Sequence, residues 1–476
     1  MRKFISSSNT VFLVLVYMKT VEACLVCGKY FHGRGLDSHA YKHSLDADHR
    51  VYINLGTEKI YCLPENYEIN DPSLDDIRHV LNPRFSLDQV LQLDDRNMLD
   101  GSDYRRGIMG LNNLKGTDFV NVVIQSLTRV TPLRNFFLIH ENYKDCKSLL
   151  VQRFGELTRK IWRNARKFKG QVSPREFMQV VTDASNNRFC IGVQSDPADF
   201  MSWFLKTLHT ELISCSKAKT TSSIIHECFQ GELAVVKDTH DRDGVKANNM
   251  VNAETSRMPF LMLGLDLPPL LLSKDAIPQV SLFNILQKID GMRYHVTRLP
   301  KYLILHLRRF TKNDFFVEKN TTLVNFPVKN LDLKDHMTLP TPKEEERLCS
   351  KYDLIANVVH DGKPDDGTYK AFVRRKSEES WYLMQDLHVA ETQPQMVALS
   401  ETYLQIYEQQ LEWMFMAVNF LCGLYSKLKC LEPKCLANLS VGGMRFSGRD
   451  LNSNPTNNKF GTSPPKDRTR ISRMIT

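Results

Sequence analysis

The chain has 476 residues, with 63 Lys and Arg against 54 Asp and Glu, a formal net charge of +9. That length admits two or three domains, and its hydrophobic (42%) and charged (25%) fractions are those of an ordinary soluble protein, which argues against a fibrous or wholly disordered chain. The charge is modest and spread out, so it permits an acidic partner or RNA without arguing for one. Eleven cysteines without even spacing argue against a disulfide framework and for a reducing compartment.

Residues 1–23 form an atypical N-terminus. Arg2 and Lys3 precede the apolar run Val11–Met18, and Val21-Glu-Ala23 has the outline of a cleavage site. The run is too short to span a bilayer, so no membrane contact is expected. The alternatives are a secretory signal, a buried strand, or a chain start that replaces another. Cleavage after Ala23 would deliver a cysteine pair to an oxidising space, where it fits poorly.

Residues 24–106 are a small metal-held module and a polar connector. Cys24-Leu-Val-Cys27 is followed by His32, His39, His43 and His49. A Cys-x-x-Cys knuckle lets two thiolates grip one ion, and His39 and His43 lie one helical turn apart on a shared face. The thiolates with His43 and His49 make a tetrahedral Cys₂His₂ set for Zn²⁺, with His39 as an alternative ligand. From 64 to 106, Asp71-Pro72, Asn82-Pro83 and Asp100-Gly101 mark turns.

Residues 107–408 read as a large α+β domain. Val120, Val123, Ile124 and Leu127 recur at helical spacing after Asp118. Asp118 stands at that helix's start, where a carboxylate satisfies free N–H groups and the dipole, so it is expected to cap the helix. Phe200, Trp203, Phe204 and Leu208 make an apolar stripe on a second helix. Residues 215–257 are polar and aperiodic and read as an insertion. Residues 409–476 are atypical: Leu411–Leu428 is apolar, and 438–476 has the composition of a disordered tail. Cys430 and Cys435 have no histidine nearby and read as ordinary cysteines.

Several of these segments resemble one family. Gly110-Leu-Asn-Asn113-Leu-Lys-Gly-Thr-Asp118-Phe-Val-Asn121-Val-Val-Ile-Gln125 resembles the nucleophile box of the ubiquitin-specific proteases. Gln194-Ser-Asp196, Leu299–Phe310, Tyr352–Gly362 with Gly367-Thr368-Tyr369, and Trp381–Val389 resemble four further boxes. Cys24–His49 resembles the ubiquitin-hydrolase-type zinc finger, which implies the same four ligands. The resemblance implies a papain-like fold with thumb, palm and fingers, preceded by that finger. It also implies that Asp118, Thr368 and Gln385 occupy the nucleophile, base and orienter positions, with Asn113 at the oxyanion position.

None of the three can perform its role. A carboxylate has no proton for a base to remove and attacks amides poorly. A threonine hydroxyl has no useful basicity near neutral pH. Gln385 is one methylene longer than the asparagine expected, and an oxyanion donor supplies no nucleophile. His360 falls at the family's upstream, non-catalytic histidine. Between 200 and 300 the paired cysteines of the family's second zinc site are missing, and Cys215 and Cys228 stand singly.

The pairing of this finger with a triad-less domain resembles the inactive, tri-snRNP-associated branch of the family. That implies a nuclear, non-enzymatic scaffold of the spliceosomal tri-snRNP in pre-mRNA splicing. Tri-snRNP proteins are the implied partners, ubiquitin is a further candidate, and RNA contact is indirect or minor. The competing readings are a thiol-dependent deubiquitinase with unorthodox residues and an RNA-binding finger protein. The latter is disfavoured because no basic stripe with interleaved aromatics is seen.

Overall fold

The computed structural model describes residues 21–94, 106–163, 171–216, 221–236, 255–269, 278–287, 294–312, 316–336, 349–364 and 366–410. The signal-like run before Val21, the center of the expected insertion (237–254) and the tail with Cys430 and Cys435 lie outside them. No helix among the described residues is long and apolar enough to cross a membrane.

The N-terminal module is a five-stranded antiparallel sheet in the order Tyr30–His32, Val21–Cys24, Val51–Asn54, Ile60–Cys62, Tyr67–Ile69. Val21–Ala23 and Tyr67–Ile69, read from sequence as flanks, are therefore part of the sheet. Ala23, Ile53 and Ile60 bury one face against Ile77 and Leu81 of the Asp75–Leu81 helix. On the other face Cys24, Tyr52 and Leu63 pack with Ala40 of the His39–Asp46 helix. Ser38 caps that helix by accepting from Tyr41 N–H (3.3 Å). The connector is thus anchored rather than loose. Asn82 spans two bodies: its amide donates to Glu58 (2.7 Å) and its carbonyl oxygen accepts from Arg159 of the large domain (3.1 Å).

In the large domain, helices Asp118–Leu127, Thr131–Leu138, Leu149–Trp162, Arg175–Ala184 and Pro197–Cys215 make a thumb. The predicted stripe on the last is the seam of that layer: Phe200, Phe204 and Leu208 are buried, with Trp203 packed beside them. Asp196 starts this helix, accepting from Ala198 N–H (2.7 Å) and Asp199 N–H (3.2 Å) ahead of Pro197 at the first turn. The palm is a mainly antiparallel sheet. Its order is Leu263–Asp266, Tyr302–Arg308, Thr402–Gln409, Lys351–Gly362, Gly367–Arg375, Ser380–Gln385, His388–Thr392. Arg309 is fully buried where this sheet meets a neighboring turn, and its guanidinium donates to the carbonyls of Thr402, Asn320 and Thr322. Burial pushes its pKa down to about 10.

Two expectations change. Part of the segment read as an insertion is structured: Ile224–Phe229 is a helix, and Gly231–Val236 pairs with Thr255–Phe260 and Tyr294–Arg298 in a three-stranded sheet. Cys146 and Cys215 are joined as a disulfide, against the expectation of reduced, single cysteines. The reason is tertiary: the end of the Pro197–Cys215 helix meets the loop before Leu149, a proximity that a sequence separation of 69 conceals.

Candidate functional site

Asp118 opens a helix whose ten residues are all buried, because it runs through the middle of the domain against the Gly367–Arg375 strand. It sits one position inside the cap expected, and it satisfies one free N–H of the first turn, that of Phe119. Thr117 holds the N-cap position, and its hydroxyl instead accepts from Leu114 N–H (2.8 Å) within the preceding turn. The Asp118 carboxylate reaches across to the palm. Oδ2 accepts from Tyr369 N–H (2.9 Å) and from the Gln194 side-chain amide (2.7 Å), and Oδ1 accepts from Phe119 N–H (3.0 Å). Gln194 Nε2 also donates to Gly367 O (3.0 Å).

The two palm residues in this network, Gly367 and Tyr369, flank Thr368. Asp118 and Thr368 are therefore neighbors in space. Thr368 itself is exposed, opposite Asp361 in the strand pairing. At this point a carboxylate is fastened to backbone and amide donors. Such charge-assisted bonds are strong and directional. They stabilize a joint between thumb and palm.

Gln385 is half-buried and ends its strand opposite His388. The next residue, Asp386, makes the contacts with the thumb. It takes a positive φ (52°) in the two-residue turn, which aims its carboxylate at the nucleophile turn. Oδ2 accepts from the Asn113 amide (3.0 Å), Oδ1 accepts from Asn121 (2.8 Å), and its backbone oxygen accepts from Leu111 N–H (2.9 Å). Asn113 thus has one amide hydrogen committed to Asp386, and its own oxygen accepts from Thr117 N–H (3.1 Å). The hairpin tip approaches so closely that a Cβ on Gly110 would lie 2.8 Å from Leu387 Cα. Gln194, Asn121, Tyr369 and Asp386 were missed as site residues. The available signal was the Gln-x-Asp spacing and the Gln-Asp pair ending a strand.

His360 lies under this joint, with no hydrogen bond to Nδ1 among the described residues. It packs edge-on to Phe310 and Tyr369 and against Gly367, where a Cβ would lie 2.2 Å from its Nε2. Burial, then the Lys319 charge, pull its pKa down to about 4, against the opposing pull of Glu401, Asp118 and Asp361. A histidine less basic when folded binds its proton preferentially in the unfolded chain. Its contribution to stability is full above about pH 6.5 and is lost as pH falls toward about 4. Denaturant melts between pH 7 and pH 4 should show that loss, and His360→Phe should flatten it.

The second site is in the finger. Cys24, Cys27, His43 and His49 place one donor atom each within 4.8 Å of one another. Cys24 Sγ is 3.6 Å from His49 Nδ1, Cys27 Sγ is 3.3 Å from His43 Nε2, and the two histidine nitrogens are 3.2 Å apart. Ligands about 2.3 Å (S) and about 2.0 Å (N) from a tetrahedral ion lie about 3.5 Å (S···N) and about 3.3 Å (N···N) from one another. The donor set therefore has the edge lengths of a closed zinc site. Phe31 stacks on the His43 ring at 4.3 Å and fixes its orientation. His39 and His32 are exposed and outside the cluster, so the alternative ligand is corrected. One turn from His43, His39 faces solvent while four donors already complete the tetrahedron. Among the described residues this is the one such cluster.

Comparison with known proteins agrees with this architecture. Residues 109–407 match the family model described as ubiquitin carboxyl-terminal hydrolase, and 14–74 match that of the zinc finger in ubiquitin hydrolases and other proteins. The chain belongs to the ubiquitin carboxyl-terminal hydrolase family and carries its zinc finger. It is 46% identical over 429 residues to ubiquitin carboxyl-terminal hydrolase 39 of Mus musculus, covering 82% of this chain and 75% of that one. It is 38% identical over 420 residues to the Schizosaccharomyces pombe protein named "Probable mRNA-splicing protein ubp10", covering 82% and 83%. A solved structure described as an essential yeast splicing factor superposes with a TM-score of 0.66 at 26% identity, covering 82% of this chain and 93% of that one.

Proposed function

We propose that this protein is a non-enzymatic scaffold of the spliceosome, acting in the nucleus on pre-mRNA splicing, with tri-snRNP proteins as its partners. The observation that carries this is the Asp118 carboxylate, bound to Gln194 and Tyr369 N–H where the family's thiol would stand. Similarity to proteins named for splicing supports the assignment to that assembly.

In this reading Asp118, Thr368 and Gln385 are the degenerate triad, and Asn113 is a retained oxyanion-position residue with nothing to act on. Residues 107–408 are the silent protease-like body. Residues 24–106 are the finger and its connector, with Zn²⁺ held by Cys24, Cys27, His43 and His49. Ubiquitin is a further partner to test. Affinity purification of the tagged full chain from nuclear extract should recover spliceosomal proteins and their small RNAs. Recovery of ubiquitin conjugates without spliceosomal components would overturn the proposal.

A further inference from the structure

We propose that the groove between the Pro197–Cys215 helix and the turn entering the palm at Leu261 and Met262 is a docking site for a short protein segment that pairs a bulky apolar side chain with an acidic one. The groove shares no residue with the degenerate triad.

Its volume is about 420 Å³, within the range of clefts that hold ligands. The floor is apolar: Met201 and Leu205 of the helix are 0% and 1% exposed. The wall is the chain from Pro259 to Met262, where the three-stranded sheet hands over to the palm. Leu261 and Met262 are half-buried against the core shared by thumb and palm, and Phe260 is half-buried against the core among the palm strands. Two thioethers in such a lining can reshape around an entering side chain.

The polar groups of the groove are Ser202 and Lys206 on the long helix, with His226 and Gln230 in and just after the Ile224–Phe229 helix. None of these four side chains has a hydrogen bond or ion pair among the described residues. His226 is nonetheless held in place. Its ring stacks on His209 at 3.3 Å, and His209 Nδ1 is 2.8 Å from the Ser223 hydroxyl.

Charge selects the occupant. No acidic side chain lines the groove, and Lys206 is exposed at it. The His226 pKa is lowered by burial first and then by His209 and Arg298, with no acid acting against them. A carboxylate entering beside an apolar anchor meets Lys206 as its counter-charge, with the Gln230 amide as a further donor. A basic segment would instead place its charge against Lys206 without compensation. RNA is the poorer fit, because single strands bind where aromatic faces are open for stacking. Phe260 is half-buried, and one face of His226 is taken by His209.

Random short peptides displayed on phage and panned on the immobilized full chain should yield sequences with Leu, Met or Phe beside Asp or Glu. A synthetic peptide of the enriched sequence should bind the full chain saturably by fluorescence anisotropy. Lys206→Glu, at an exposed helix position that does not threaten the fold, should weaken that binding by at least about tenfold. The same peptide with Lys in place of its acids should prefer the Lys206→Glu chain to wild type. Met262→Ala should weaken the acidic peptide in the same direction as Lys206→Glu. The proposal fails if no sequence is enriched, or if the enriched sequences are basic or lack an apolar residue. It fails if either variant binds the acidic peptide as tightly as wild type, or if the lysine peptide prefers wild type. It also fails if an oligouridylate RNA binds the wild-type chain and Lys206→Glu abolishes that binding.

Discussion

Stripping zinc from the protein, or replacing Cys24 or Cys27 by Ser, unfolds the finger and leaves the large domain intact. The module has little else to hold it: one face buries Cys24, Ala40, Tyr52 and Leu63, the other Ala23, Ile53 and Ile60. Structural zinc contributes about 10–16 kcal/mol of apparent binding free energy in finger peptides near neutral pH, and that binding is coupled to folding. A core of this size supplies far less. The large domain has two extensive cores of its own, one between the thumb helices and the palm strands and one among the palm strands and their neighbors. The expected result is one equivalent of zinc in the intact chain. After chelation, proteolysis should be rapid between residues 21 and 69 and slow within 109–407. A chain with no bound zinc and an unchanged digestion pattern would refute the site.

Replacing Asp118 by Ala should destabilize the large domain by about 2–4 kcal/mol, measured by denaturant titration. The carboxylate satisfies three donors: the Gln194 amide, Tyr369 N–H and Phe119 N–H. Its removal strands them in a place that is 2% exposed. Asp118→Asn keeps one oxygen and should cost less, about 1–2 kcal/mol. Asp118→Cys is the informative variant. In an active relative that change would supply the nucleophile. Here it should lower stability and yield no ubiquitin cleavage, because Thr368 cannot take the thiol's proton. Cys228 offers no substitute: burial pushes its pKa up to about 12, far from the thiolate range. Near wild-type stability in Asp118→Ala would mean that the thumb–palm joint is held elsewhere.

Much of this was legible in the chain. The helix after Asp118 and the stripe from Phe200 to Leu208 follow from apolar spacing, because each buries one whole face in the thumb. The zinc ligands follow from cysteine and histidine spacing, except that spacing could not separate His39 from His43. Helical periodicity places both on one side, and only the path of the chain through Tyr52 and His49 decides which reaches the thiolates.

The role of Asp118 was half legible. Its position at a helix start suggested a local cap, and Phe119 N–H is a local partner, but its other two partners lie 76 and 251 positions away. Long-range hydrogen bonds leave no periodic signal. Asp386 was hidden differently, because its contacts depend on a left-handed turn conformation that re-aims the side chain. Cys146 and Cys215 were hidden by chain separation alone.

The most direct measurement is exposure of the purified full chain to ubiquitin bearing a thiol-reactive electrophile at its C-terminus, followed by intact-mass analysis. With carboxylate, hydroxyl and amide at the three positions, the mass should stay that of the unmodified chain, whether or not ubiquitin binds. Covalent capture of one ubiquitin on any cysteine would contradict a protease fold emptied of its chemistry.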